Sequence, residues 1–536
     1  MDRPPQDPSR RATRRALIAL LLVGLATTPL LWLRSYAPTL LSGGDGAIYM
    51  ICAQNLLAGE GYTYLGEPFI IRPPGFSVLM MPLIGLFGRD ITVLTLFVWL
   101  CGIAGLGAFF CYQRPRLGIP VTLGVCAVLF LNSFFQLAAN QIMSDVPALL
   151  ALFACLLLER RARHRPSLGM DVTLGLAIAA AAYLRSVHIL LLPALVLGRS
   201  CAFLRRPPDG DGAQPGHPAE SDGSDPLDPE RGPLRDLPAY FLRRILPVLI
   251  VAVAAVLPWK LREDRVASPD VAEFTRLHSY GVALMNTDPA DPGSPRITMA
   301  DLAGRVRARS SDIVGTLGSR MVQREHPGRL HGVLALLGLL AWALVLGVRR
   351  STGDWFVAGT LFVIVIYFGF MNRLMLPVFF MVVPAIAQVV LWGLDRICGK
   401  RLAQVLTTVL LLTWAVADYD ANEAYKATME KDLTAFLQTS DLLREQFGPD
   451  EALTSSRSAH FYLELERPVL NHSWPMLRGD EKGTLEFLER HSVRGMVLAK
   501  SRRADRRLIA ALGPRLQVIK HIGPYTVARL RPKAPR

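Results

Sequence analysis

The sequence is short of charge. Only 19% of its 536 residues are Asp, Glu, Lys or Arg, against about 25% in a soluble globular protein. With 51% hydrophobic residues, that shortage argues against an ordinary soluble domain. A disulfide framework is also lacking. The seven cysteines are an odd number, most lie inside apolar runs, and the polar C-terminal region has none. Buried in such runs, Cys behaves as a small hydrophobe, and no pair has metal-ligand spacing. No clear internal repeat is present. A basic domain is missing too. The net charge is +15, but Lys and Arg are scattered over short loops, which argues against a nucleic-acid partner. It fits the excess of basic residues in cytoplasmic loops. Nor is a cleavable leader evident. The cluster Arg10, Arg11, Arg14, Arg15 precedes an apolar run longer than the roughly 7–15 residues of a signal core.

What is there is a series of long apolar runs. Eleven reach about the length a spanning helix needs: 16–34, 91–112, 117–136, 142–159, 170–184, 187–204, 242–259, 330–348, 354–371, 374–395 and 402–418. The expected fold class is mainly α, a polytopic transmembrane helical bundle of about eleven spans. With residues 1–15 a basic cytoplasmic N-terminus, Arg114–Arg116, Arg160–Arg165, Arg205–Arg206, Arg349–Arg350 and Arg396–Arg401 all fall inside, as positive-inside topology requires. Phe76–Phe87 is apolar but reaches only about 18 Å as a helix, against a hydrocarbon core of about 30 Å. It reads as a re-entrant or interfacial helix in an external loop over 35–90. This choice puts Asp45 and Asp145 on the same side of the membrane.

The remaining polar stretches divide by composition. Residues 206–236 are rich in Pro, Gly, Asp and Ser and read as a disordered cytoplasmic linker. Residues 260–329 read as a long external loop whose Arg and His are solvated. Residues 419–536 read as a small C-terminal extracytoplasmic α/β domain, beyond a transmembrane domain spanning 16–418. Its helical stretches are expected at about 420–446, 479–491 and 503–512. Strand-like runs lie at Ala452–Thr454, Val469–Asn471, Gly495–Ala499 and Leu516–His521.

The candidate chemistry lies where charge interrupts apolar sequence. Asp45 stands in Gly43-Gly44-Asp45-Gly46, before Ala47–Leu57, which reads as an amphipathic helix on the membrane surface. Asp45 fits a helix cap as well as a general base. Asp145 opens an apolar helix, with Pro147 in the first turn; it too fits a cap, but a carboxylate at membrane depth marks function. Arg72, Arg185 and Arg373 fall on the same outer side. Singly, each fits snorkelling to headgroups; together they suit phosphate oxygens. Tyr49 and His188 complete the candidate substrate-binding set, although each also fits a plain structural role. Glu60, Glu67, Tyr62 and Tyr64 read as solvated loop residues.

The pattern resembles a known family. Asp45 after the first span, Asn55-Leu56-Leu57-Ala58-Gly59-Glu60-Gly61-Tyr62 and Arg72-Pro73-Pro74-Gly75-Phe76 resemble the GT-C superfamily of integral-membrane glycosyltransferases, closest to its protein mannosyltransferase and aminoarabinose transferase branch. Ser144-Asp145-Val146-Pro147, Leu184-Arg185 and Asn372-Arg373-Leu374-Met375-Leu376-Pro377 resemble later motifs of that branch, so the likeness covers roughly 16–400. The resemblance implies an inverting transfer of a sugar from a polyprenyl-phosphate carrier to a lipid, glycan or protein acceptor. The setting it implies is the outer face of a bacterial inner membrane. It implies that Asp45 is the base, that Asp145 is a second acid of the site and candidate ligand of a divalent metal ion, and that Arg72, Arg185 and Arg373 hold the carrier phosphate. Asp45 lacks the adjacent second acid of several relatives. A flippase or transporter of lipid-linked sugars and a non-catalytic membrane scaffold remain the alternatives.

Overall fold

Each of the eleven apolar segments is mainly helical over its described residues. The computed structural model describes residues 8–35, 44–205, 233–266, 284–287, 294–322, 329–367, 372–417, 422–472, 481–499 and 503–531. Most of the expected 206–236 linker and much of the 260–329 loop lie outside them. The chain opens with α1 (Pro8–Ser35) and α2 (Gly44–Leu57). A hairpin follows, β1 (Thr63–Tyr64) with β2 (Glu67–Pro68), then α3 (Gly75–Phe87) and α4 (Ile91–Leu117). Next come α5 (Ile119–Leu131), α6 (Ser133–Ala139), α7 (Asp145–His164), α8 (Leu168–Leu184) and α9 (Leu191–Leu204). A further set is α10 (Pro233–Tyr240), α11 (Leu246–Val266), α12 (Met299–Val322), α13 (Arg329–Arg349), α14 (Thr352–Ile366), α15 (Met375–Cys398) and α16 (Lys400–Ala417).

By length and composition, six described helices can cross a membrane unaided, and the α5–α6 pair makes a seventh if counted as one span. The chain is an integral multi-pass membrane protein. The expected eleven also include α1, α7, α8 and α14, and the last three differ from the others in plain physical ways. α8 and α14 are apolar but short, and α7 ends in Arg160, Arg161, Arg163 and His164. The 117–136 run is broken by 62° at Asn132, whose extended backbone and side chain, accepting from the Phe134 amide at 3.0 Å, start α6 as a new helix.

The basic loops collect at one end of the bundle. Arg205 Nη2 donates to the Gly347 carbonyl at 3.3 Å, and Tyr112 lies 3.4 Å from Ser351. α7 packs between α4 and α8, and its first residue, Asp145, lies at the opposite end.

At that opposite end the loop over 44–90 is packed into the bundle. α3 has thirteen residues, about 20 Å of helix, too short to cross. α2 forms where the sequence reads a helix, but it is not amphipathic in place. Ala47, Tyr49, Met50, Ile51, Cys52 and Ala53 are all buried. α3 packs on one side of it, and a C-terminal helix, Ser458–Leu465, on another. Tyr62 and Tyr64 are buried rather than solvated.

Two glycines set the close packing. A Cβ on Gly46 would lie 2.6 Å from the Ile142 carbonyl oxygen, and one on Gly75 would lie 2.6 Å from the Tyr183 carbonyl. The first contact seats the start of α2 on the turn before α7. The second seats the start of α3 on the end of α8.

The C-terminal region carries α17 (Asn422–Gln446), β3 (Ala452–Ser455), α18 (Ser458–Leu465), β4 (Val469–Leu470), α19 (Glu481–Arg490), β5 (Val493–Ala499), α20 (Arg503–Leu512), β6 (Leu516–Ile522) and β7 (Tyr525–Leu530). The sheet order is β4-β3-β5-β7-β6, parallel across the first three strands and antiparallel across the last three. α18 and β7 were not read from the sequence. The unit touches the loop end of the bundle. Arg89 donates to the Leu463 carbonyl at 2.7 Å, and Tyr64 lies 3.5 Å from Ser458.

Candidate active site

Each charged residue of the site sits at an element boundary. Asp45 lies in the first turn of α2, Asp145 opens α7, and Arg185 follows the end of α8. Arg373 lies in the 3-10 turn Asn372–Leu374 that leads into α15. Arg72 precedes Pro73 and Pro74 in the turn into α3. Proline has no amide to satisfy and fits a first helical turn, so Arg72-Pro73-Pro74 ends one element and starts another.

The packing set by Gly46 and Gly75 brings these ends together. Arg72 Nη2 donates to Asp45 Oδ1 at 3.1 Å, and Arg373 Nη2 lies 2.8 Å from Asp45 Oδ2. The Asp45 carboxylate is therefore gripped on both oxygens, and pairing takes the place of capping. Burial alone would raise its carboxyl, but Arg72 and Arg373 more than offset that and hold it well below the usual carboxylate range. Asp145 pairs with Arg185 Nη1. Its side chain is 4% exposed, and its Oδ2 has no hydrogen-bond partner. Arg373 also reaches Met143 Sδ at 3.8 Å, in the turn before Asp145.

Between these groups lies a cavity of about 250 Å³. Asp45, Arg72, Arg185, Arg373, Tyr49 and Ser144 supply its polar lining; Leu184, Val187, Leu190, Val363, Tyr367 and Leu374 are among its less polar walls. The Tyr49 hydroxyl lies 3.4 Å from Ser144 Oγ, and its ring meets Phe76 edge-on at 5.1 Å. Burial and the Asp45 charge push its phenol up to about 12, so it is a neutral hydrogen-bonding group at physiological pH.

Two candidates do not line the cavity. Asp145 stands behind Arg185 and aims it. His188 is buried behind the wall; its ring stacks on Phe356 at 5.5 Å, and Nδ1 lies 3.2 Å from the Arg185 carbonyl oxygen. It supports the Arg185 backbone and does not face the cavity.

Two arginines assigned to the solvated 260–329 loop prove to be structural. Arg262, on the last turns of α11, donates to the Phe69 carbonyl at 2.7 Å and the Tyr62 carbonyl at 3.0 Å. Tyr62 in turn donates its hydroxyl to the Arg72 carbonyl at 3.1 Å. Arg305 ties the Leu284 carbonyl, at 2.9 Å, to the Ile366 carbonyl, at 3.4 Å, so it joins two walls of the cavity. For Arg262 the signal in the sequence was the continuation of the helix past Trp259.

The donors present do not fit a divalent metal. Among the described residues no three His, Cys, Asp or Glu side chains gather as a metal-binding group. Both acids are already paired with guanidinium groups, and such an ion takes about six or more oxygens.

No protein-family model matches the sequence, and no curated protein matches it. Solved structures do. ArnT from Cupriavidus metallidurans bound to undecaprenyl phosphate aligns with a TM-score of 0.56 at 13% identity, over 95% of this chain and 98% of that one. Its apo state aligns with a TM-score of 0.57 at 12% identity, over 96% and 98%. The chain has the GT-C fold. At that identity the likeness speaks for architecture alone, and the motif resemblance is borne out at that level. In the GT-C frame of this chain, the Asp45 cavity is walled by the ends of α2, α8, α14 and the turn before α15.

Proposed function

We propose that the chain is a glycosyltransferase that takes a sugar from a polyprenyl-phosphate carrier, with the Asp45 cavity as its active site. The observation that carries this reading is the double grip of Arg72 and Arg373 on Asp45, in a cavity that also has apolar walls. Three guanidinium groups suit a phosphodiester, and apolar walls suit the start of an isoprenoid chain. ArnT, which shares the fold, has been seen with undecaprenyl phosphate.

The grip also suggests an order of events. With both oxygens paired, Asp45 is too weak a base to act. An arriving carrier phosphate competes for Arg72 and Arg373, and Asp45 regains basicity as they turn to it. Asp45 then removes the proton from the acceptor hydroxyl. That oxygen attacks the anomeric carbon from the face opposite the carrier, the carbon–oxygen bond to phosphate breaks, and the carrier leaves as polyprenyl phosphate. One displacement inverts the anomeric centre. The arginines stabilise the charge that grows on the leaving phosphate, and Asp145 keeps Arg185 aimed at it.

By the same reading the cavity and the β3–β7 unit face the outside of a bacterial inner membrane, because the arginine-rich loops lie at the other end of the bundle. The acceptor is a hydroxyl of a lipid, glycan or protein. The test is transfer in proteoliposomes fed with membrane lipid extract, with products read by mass spectrometry. The wild-type chain glycosylates an acceptor, and Asp45→Asn does not. Flux of carrier-linked sugar across the bilayer that persists in Asp45→Asn would favour a flippase.

A further inference from the structure

The far end of the bundle holds a second cavity, of about 280 Å³. It lies between the end of α7, the end of α9, and α10 with the π-helical turn Phe241–Ile245 that follows it. Arg163, Arg199, Arg243 and Arg244 supply its charge. Arg163 is eighteen positions along α7 from Asp145, about 27 Å at helical rise, which is close to the depth of a hydrocarbon core. The two cavities therefore belong to opposite leaflets.

Arginines at this end would ordinarily be topogenic, and a topogenic arginine only needs to reach water or headgroups. Arg199 does neither. It is 2% exposed. Its Nη1 donates to Asp171 Oδ1 at 3.1 Å and also to the Arg244 carbonyl, while its Nη2 is buried with no hydrogen-bond partner. A buried donor left unmade is costly, so a group that accepts from it is expected.

Among the described residues the local charge is not balanced. Glu159 pairs with Arg163 at 2.8 Å, and Asp171 serves both Arg199 and, at 3.6 Å, Arg244. Arg243 has no carboxylate partner among the described residues. Four guanidinium groups thus face two carboxylates. Beside them the stacked rings of Phe203 and Tyr240, 4.5 Å apart, make an apolar wall. A π turn in an otherwise α-helical stretch often marks a functional site, and here it is the turn that presents Arg243 and Arg244 together.

We infer that this cavity binds the phosphate headgroup of an anionic phospholipid from the leaflet opposite the Asp45 cavity. The phosphate accepts from Arg199 and Arg243, and the acyl region lies along Phe203 and Tyr240. Basic pockets between helices at the cytoplasmic face suit such headgroups. The site is independent of the transfer reaction.

The test uses the full chain in detergent and native mass spectrometry, with phosphatidylglycerol, phosphatidylcholine and inorganic phosphate as probes. Phosphatidylglycerol is retained in preference to phosphatidylcholine. Arg243→Glu lowers that retention by roughly tenfold or more, Arg243→Lys restores part of it, and thermal unfolding of the lipid-free chain stays unchanged in both. Equal retention of the two lipids, or retention indifferent to Arg243→Glu, overturns the inference. Displacement of the bound lipid by millimolar inorganic phosphate would assign the site to a free anion and overturn it equally.

Discussion

Arg373 and Asp45 come from opposite parts of the chain, yet Nη2 of one lies 2.8 Å from Oδ2 of the other. The same carboxylate holds Arg72 at 3.1 Å through its other oxygen. In the proposed reaction this arrangement is a lock that the carrier phosphate opens.

The arginines should therefore matter more for the donor than for folding. Arg72→Ala or Arg373→Ala is expected to lower transfer by about a hundredfold or more, the scale of losing one donor to a developing anion. Lys at either position should recover only part, because it lacks the two-pronged guanidinium geometry. Initial rates in proteoliposomes, with circular dichroism as a folding control, check this.

The pH dependence follows from the direction of the Asp45 shift. Its carboxyl is held well below the usual range by the arginines, against the upward push of burial. A depressed carboxyl adds stability that is present above the unfolded value of about 3.9 and is lost as pH falls through the folded value. Acid should thus destabilise the wild type only below the ordinary carboxylate range. Removing Arg72 or Arg373 should raise the Asp45 carboxyl toward its unfolded value and make that acid loss smaller. For the reaction, kcat/KM reports the free enzyme and kcat the bound complex. The acid limb of kcat should lie at higher pH than that of kcat/KM, because the carrier phosphate relieves the grip. Coincident acid limbs would contradict this.

Gly75 sets the distance between two parts of the site. A Cβ there would lie 2.6 Å from backbone atoms of Tyr183, and backbone cannot swing aside as a side chain can. Gly75→Ala is expected to cost about 1–3 kcal/mol of stability, as overpacking does, and to lower transfer by moving Arg72 away from Arg185. Gly59→Ala, in open space but at φ +80°, is the contrast: strained backbone with the site left in place. Thermal unfolding and transfer rates, measured together, separate the two.

Arg262 acts at one remove. It holds the Phe69 and Tyr62 carbonyls, and Tyr62 holds Arg72. Arg262→Ala should raise KM for the carrier several-fold while the pH profile keeps its shape, whereas a change at Asp45 alters the profile itself. Steady-state kinetics across pH distinguish them.

Much of this was legible in the sequence. The helices were, because apolar runs of that length have few other uses. The charged residues were too, because Asp145, Arg185 and Arg373 interrupt segments where charge is costly, while Asp45 stands out in a glycine-rich loop. What escaped were relationships between distant segments. α2 reads as a surface helix because nothing local reveals that α18 covers its second face. Tyr62 and Tyr64 lie in a polar loop, and their burial depends on α11 and the C-terminal unit. His188 sits beside Arg185 in sequence, but the 3-10 turn Ser186–Leu190 turns its ring onto Phe356. Arg262 and Arg305 look like loop arginines until the carbonyls they hold are known.

The most direct measurement is undecaprenyl phosphate binding to Asp45→Asn beside the wild type, read by microscale thermophoresis in the same detergent. Removing the carboxylate charge frees Arg72 and Arg373, so the substituted chain should bind the carrier more tightly while its transfer activity is lost. Unchanged or weaker binding, or transfer at the wild-type rate, would contradict the account.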